Sequence, residues 1–160
     1  MLTVRAATEG DIEIAISLWR ALEDTQGPVR YYSVTADPEE RIRASFSAAI
    51  AARDADLLMA FDGADPVGMA LVRLEPPSKM SDELAVDLSR VVVAPTHRGT
   101  GVGRALVGAA EAWARDRGIR SLVAAVFVAN EASGRFWRAL GFRPWVERMV
   151  REVDGRGLGT

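Results

Sequence analysis

The sequence predicts a single α/β (α+β) domain built on a mixed central sheet. Three observations carry this. The segments read in the order β-α-α-β-β-β-α-β-α-β. A strand–helix–strand unit over residues 84–128 calls for a right-handed parallel crossover. A hairpin pattern just ahead of that unit adds antiparallel neighbours.

"TVRAAT" (3–8) alternates in polarity and predicts a short strand. In the next segment Ile12, Ala15, Ile16, Trp19 and Leu22 recur at helical spacing, with Asp11 in an acidic first turn. Residues 26–36 have no period and predict a loop. A second helix starts at Asp37 as N-cap, with Pro38 at the first helical position and Glu39 and Glu40 in the first turn. Two apolar runs around "DGAD" (62–65) predict the hairpin. "DELAVDLSRVVVAP" (82–95) predicts a strand ending at Pro95. In the segment from 101 to 118, Val102, Leu106, Ala109, Ala110 and Trp113 share one helical face, and Gly118 is a natural stop. "SLVAAVFVA" (121–129) is apolar throughout, as a central strand is. A short helix runs from Asn130 to Gly141, and "FRPWVERMVREV" (142–153) predicts a last strand. Residues 1–153 are expected to form the domain, and 154–160 a frayed tail.

Composition narrows the function. Of 160 residues, 49% are hydrophobic and 26% charged, which suits a packed core. The chain has no Cys, which excludes a disulfide, a cysteine zinc site and a thiol nucleophile, and its one His excludes a multi-histidine metal site. A net charge of −2 argues against a nucleic-acid partner. No apolar stretch approaches the ~20 residues of a membrane span, and none near the start has signal-peptide length, so the expectation is a cytoplasmic protein.

The most informative stretch is "THRGTGVGRAL" (96–106), with glycines at 99, 101 and 103 between a strand and a helix. Gly costs about 0.5–1 kcal/mol relative to Ala in regular structure. A helix N-terminus presents unpaired N–H groups and roughly half a positive charge, so an anion placed there accepts several hydrogen bonds at once. Residues 98–103 are therefore a candidate phosphate cradle, with Arg98 and Arg104 adding charge. A Walker A loop would need a Lys that is absent. A dinucleotide fingerprint would need Gly at position 104 or 106, where Arg and Leu stand.

"R-G-T-G-V-G" resembles the R/Q-x-x-G-x-G/A signature of the GNAT N-acetyltransferase superfamily, with Arg98, Gly101 and Gly103 in register. The flanking "V-x-V-x-P" and the downstream "N-E-A-S-G-R-F-W-x-x-x-G-F" are similar to the family's two cofactor motifs, so the resemblance covers residues 84–143. It implies a mixed, mostly antiparallel sheet of about six to seven strands flanked by about four helices. It also implies acetyl-CoA as co-substrate, without a metal, held in a splay between the fourth and fifth strands.

Carried onto this chain, the resemblance implies that the backbone of Gly99, Thr100, Gly101, Val102, Gly103 and Arg104 holds the pyrophosphate, with Arg98 beside it. The pantetheine arm would pair with Val91 and Val93 as an added strand. Asn130 would bond the pantetheine amide, a role compatible with capping the helix it starts. Trp137 would pack beside the arm, and Arg135 could reach the 3′-phosphate. His97 lies too far from the thioester to act as a base.

An alkylamine of pKa about 10.4 must lose a proton before it attacks, which costs roughly 4–5 kcal/mol at neutral pH unless a base assists. By position, Asp87 matches the family's carboxylate, and Glu83 lies four residues earlier on the same strand parity. Many relatives protonate the leaving thiolate from a Tyr where this chain has Trp137, a poor acid. Water, Tyr31 or Tyr32 from the loop, or a non-catalytic acyl-CoA-binding role as sensor or scaffold remain the alternatives. The acceptor is expected to be a small-molecule or peptide amine, met by Trp19, Tyr31 and Tyr32 through cation–π contact. Homodimers are frequent in the family.

Overall fold

The computed structural model describes residues 1–27, 34–151 and 153. Alternation turns Leu2 and Val4 of strand β1 (Leu2–Ala6) toward the sheet's core on one side. The chain then reverses around a buried carboxylate. Asp11, 6% exposed, takes both Arg5 guanidinium nitrogens at 2.9 and 3.0 Å and accepts from the Thr8 backbone N–H and hydroxyl at 2.7 and 2.9 Å. The Arg5 hydrogen bonds, followed by those of Thr8, hold the Asp11 carboxyl far below the usual carboxylate range against the opposing pull of burial.

Helix α1 (Ile12–Gln26) follows, burying Ile12, Ala15, Ile16, Leu18, Trp19 and Leu22. Helix α2 (Pro38–Ala51) begins after Asp37, with Pro38 at its start as expected, although the Asp37 side chain makes no capping bond. Strands β2 (Ala55–Asp62), β3 (Asp65–Glu75) and β4 (Ala85–Val93) form an antiparallel run beside β1. Helix α3 (Val102–Arg115) crosses to β5 (Leu122–Val123), which pairs parallel to β4. Helix α4 (Glu131–Ala139) completes the regular elements. The sheet order is β1-β2-β3-β4-β5. One core lies between α1, α2 and the sheet, and the other between α3, α4 and the opposite face.

Strand β4 changes face midway. Val86 and Leu88 bury on the α3 side, whereas Val92 buries on the α1–α2 side. The cause is a bulge: the register slips between Met69↔Val92 and Leu71↔Ser89, and Arg90 takes φ +51°. An extra residue shifts the two-residue period by one, so every later side chain points the other way.

Four expectations are corrected. Among the described residues the sheet has five strands, not six or seven. The strand expected over 121–129 keeps only two ladder residues, because past the β4 bulge the two backbones no longer run side by side. Residues 142–151, expected to form the last strand, form no ladder among the described residues; the chain leaves α4 at Phe142, whose ring stands edge-on to Trp137 at 4.8 Å. Finally, Glu83 lies before β4 in an exposed loop, so it shares no strand parity with Asp87.

Candidate active site

The glycine loop is built in three different ways. A single 3₁₀ turn, Pro95–His97, ends strand β4's exit, and Thr100 folds back with its hydroxyl on the His97 carbonyl. Gly99 (φ +77°) and Gly101 (φ +93°) occupy left-handed backbone, which L side chains adopt only with strain. Gly101 is the N-cap of α3 and its carbonyl receives the first helical bond, from Ala105 N–H at 3.0 Å. Gly103 serves packing instead. A Cβ there would stand 2.8 Å from Phe136 Cε2 and 3.7 Å from Val93 Cγ2, so its hydrogen lets α4 approach α3 beside the end of β4.

This geometry leaves donors free. The backbone N–H groups of Gly99, Gly101, Val102, Gly103 and Arg104 find no acceptor among the described residues. Arg98 and Arg104 flank them, exposed and without an ion pair among those residues. Five donors, two guanidinium groups and a helix N-terminus suit a doubly charged anion such as a diphosphate.

From this cradle a slot runs along β4. The ladder with β5 consists of Val86↔Leu122 and Asp87↔Val123, and beyond it the β5-facing edge of Ser89–Val93 has no ladder partner. Val91 and Val93, half-buried, lean toward the α3 side beside Phe136. The slot thus offers free amide and carbonyl groups with an apolar wall, as an added extended arm requires.

Asp87 sits at the closed end. It is half-buried, stands opposite Arg73 on one side and Val123 on the other, and its carboxylate makes no hydrogen bond or ion pair among the described residues. Its register opposite Arg73 puts it on the face that Met69 and Leu71 turn toward α1 and α2. Asn130 is the N-cap of α4, its side chain accepting from Ser133 N–H at 3.1 Å.

Other expected site residues fall elsewhere. Trp137 is 8% exposed and packs between Phe136 and Phe142, so it supports the slot's wall from within the core. Trp19, expected to meet the acceptor, is buried in the α1–α2 core. Arg135 is exposed beside Glu131, 3.7 Å away. His97 is half-buried, its Nδ1 2.9 Å from the Thr96 hydroxyl and its Nε2 3.9 Å from Asp62. Tyr31 and Tyr32 lie outside the described residues.

Sequence reasoning missed two features. Arg90 gives no signal, because a bulge is a property of two strands together. Gly68 on β3 is the other: a Cβ there would meet the Val92 carbonyl oxygen at 2.8 Å and Val102 Cγ1 at 2.9 Å, so this glycine lets the first turn of α3 settle onto β3 beside Val92. Among the described residues no group of three or more His, Asp or Glu side chains could hold a metal ion, and no helix is long and apolar enough to cross a membrane.

Comparison with known proteins places this geometry. A model of the acetyltransferase (GNAT) family matches residues 18–142. An aminoglycoside N(6')-acetyltransferase type 1 from Stenotrophomonas maltophilia is 32% identical over 154 residues, 92% of this chain and 90% of that protein. A mycothiol acetyltransferase from Thermobispora bispora is 36% identical over 86 residues, so the match spans 53% of this chain but only 29% of that protein. A predicted acetyltransferase from Clostridium acetobutylicum, solved with acetyl-CoA, superposes with TM-score 0.76 at 16% identity over 96% of this chain and 97% of that one.

Proposed function

The chain belongs to the acetyltransferase (GNAT) family, and from that premise we propose that it moves the acetyl group of acetyl-CoA onto a primary amine by direct attack. The observation that carries the reading is the alignment of two unsatisfied surfaces. Five free N–H groups at the start of α3 lead into the free edge of β4, and that edge closes at Asp87. The cradle takes the pyrophosphate of acetyl-CoA. The backbone of Val91 and Val93 takes its extended arm, and Asn130, already capping α4, adds a contact from the opposite side. Arg98 and Arg104 balance the phosphate charge.

Asp87 then faces the incoming nitrogen. The amine reaches the site as an ammonium ion; the carboxylate pairs with it and takes one proton, the lone pair so freed attacks the thioester carbonyl carbon, and the second proton leaves the nitrogen to solvent as the tetrahedral intermediate collapses. The carbon–sulfur bond breaks as the acetyl group leaves. The thiolate, of ordinary pKa about 8.5, recovers a proton from water. Trp137 takes no part in that step, since its ring is buried and an indole does not ionise.

For the acceptor we propose a small cationic amine, the class to which the aminoglycosides named for the Stenotrophomonas relative belong. A protein that works inside the cell, where acetyl-CoA is made, is part of the same proposal. Acetyl-CoA titrated by calorimetry should bind with one site per chain, and release of free thiol should follow addition of an amine from a panel of aminoglycosides, polyamines and amino-acid amides. Tight acetyl-CoA binding with no thiol release from any amine would replace this reading with that of an acyl-CoA-binding module.

A further inference from the structure

The rung that ends the β4–β5 ladder also sets two opposite charges face to face. Asp87 on β4 is the direct partner of Arg73 on β3. Both side chains therefore leave the sheet on one face, the one that Leu71 turns toward α1 and α2. Directly opposed residues of an antiparallel pair have Cβ atoms about 5 Å apart, and opposite charges so placed attract. Here they stay open. Asp87 and Arg73 form no ion pair, and neither side chain has another partner among the described residues.

The surroundings do not satisfy Arg73 either. Across β2 it faces Ala55, which offers its side chain no acceptor. The rung toward the bulge is Leu71↔Ser89, and the rung away from it is Glu75↔Ala85. Arg73 is thus the one cation on these three β3–β4 rungs. It is exposed, on a long flexible stem, whereas Asp87 is half-buried on a short one. A small solute can meet both groups at once.

We propose that the acceptor carries a carboxylate beside its amine, and that Arg73 binds this carboxylate while Asp87 receives the ammonium. The proposal rests on the acetyl-transfer reading above and narrows the amine of that same site to a free α-amino acid. The two charges of such a molecule lie two bonds apart, so one small body answers both halves of the open pair. A guanidinium grips a carboxylate through two parallel hydrogen bonds, which fixes orientation as well as charge. A dianionic phosphate would call for a second cation, and Glu75 stands on the same face two residues along β3 instead. Held at both ends, the nitrogen keeps its direction toward the thioester.

Matched acceptors test this. Each free α-amino acid is compared with its own amide, which keeps the amine and the side chain and loses the negative charge. Thiol release should give a kcat/KM at least tenfold higher for the best acid than for its amide. Arg73→Gln should cut that acid-to-amide ratio at least tenfold, chiefly through KM, and Arg73→Lys should recover part of it. Calorimetric titration of the acid into protein loaded with coenzyme A, which has no acetyl group to transfer, should show the same loss of affinity. Both variants should bind acetyl-CoA as the parent does, since Arg73 lies outside the cradle. Amides or polyamines that release thiol as fast as the free acids would overturn the proposal and leave acetyl transfer standing. So would an Arg73→Gln variant that lowers acid and amide alike. No thiol release from any amine would remove the acetyl-transfer reading and this one with it.

Discussion

Asp87 stands directly opposite Val123, and this pair is the last rung between β4 and β5. Three residues later Arg90 turns the strand over through a left-handed bulge. The carboxylate thus lies where the sheet stops being continuous and the free edge of β4 begins. Neither the rung nor the bulge alone would do this, because the slot needs paired strands at one end and released backbone at the other.

If Asp87 draws the proton from the acceptor, Asp87→Asn should lower kcat/KM by about 10²–10⁴. The loss should be largest at low pH, where neutral amine is scarcest, and should shrink as pH approaches the amine's own pKa, about 10.4. Steady-state rates across pH 6–10 measure this. A uniform loss at every pH would assign Asp87 to binding the ammonium only, and unchanged rates would remove it from the mechanism.

Gly101 and Gly103 should fail differently. Gly101→Val places a side chain at φ +93° in open space, at a strain of about 1–2 kcal/mol, and intrudes on the cradle. Acetyl-CoA affinity should fall at least tenfold while α3 and α4 keep their packing. Gly103→Val drives a methyl into Phe136 and should destabilise the protein by about 1–3 kcal/mol, a fall in melting temperature of ~3–9 °C. Calorimetric titration and thermal melts on both variants separate the two roles.

The cap at Asn130 can be tested apart from any ligand contact. Asn130→Ala removes the acceptor for Ser133 N–H and should cost about 1 kcal/mol. Asn130→Ser should restore that stability. If Asn130 also touches the pantetheine arm, the Ser variant will melt like the parent yet bind acetyl-CoA more weakly. Equal affinity would leave it a cap alone.

Acid should loosen the N-terminal turn first. The Asp11 carboxyl has its pKa depressed in the fold, chiefly by Arg5, so its contribution is full above the unfolded value of about 3.9 and is lost as pH falls below that toward the folded value. Asp11→Asn should therefore cost about 1–3 kcal/mol at pH 7. The difference between variant and parent should narrow steadily as pH drops below 4. Urea unfolding at pH 7, 5 and 3 checks the sign, and a gap that widens in acid would refute it.

Helix positions were legible because their signals are local. The 3.6-residue spacing of Ile12, Ile16 and Trp19, the proline at 38 and the glycines at 118 and 141 act within a turn or two of chain. The three glycines before α3 were legible as a motif for the same reason, but their separate purposes were not. Gly103 is required by Phe136, a residue more than thirty positions away. Glu83 and Trp19 were misplaced for a related reason: strand limits depend on partners, and a helical face shows that a side chain is buried without showing what covers it.

Composition and periodicity alone were enough for the helices, the hairpin and the glycine-rich start of α3, since each depends on neighbours along the chain. The tertiary structure alone decided that β4 bulges at Arg90, that its ladder with β5 ends at Asp87 and that residues 143–151 stand away from the sheet. Strand pairing is a relation between distant segments, and no single segment encodes where its partner will let go.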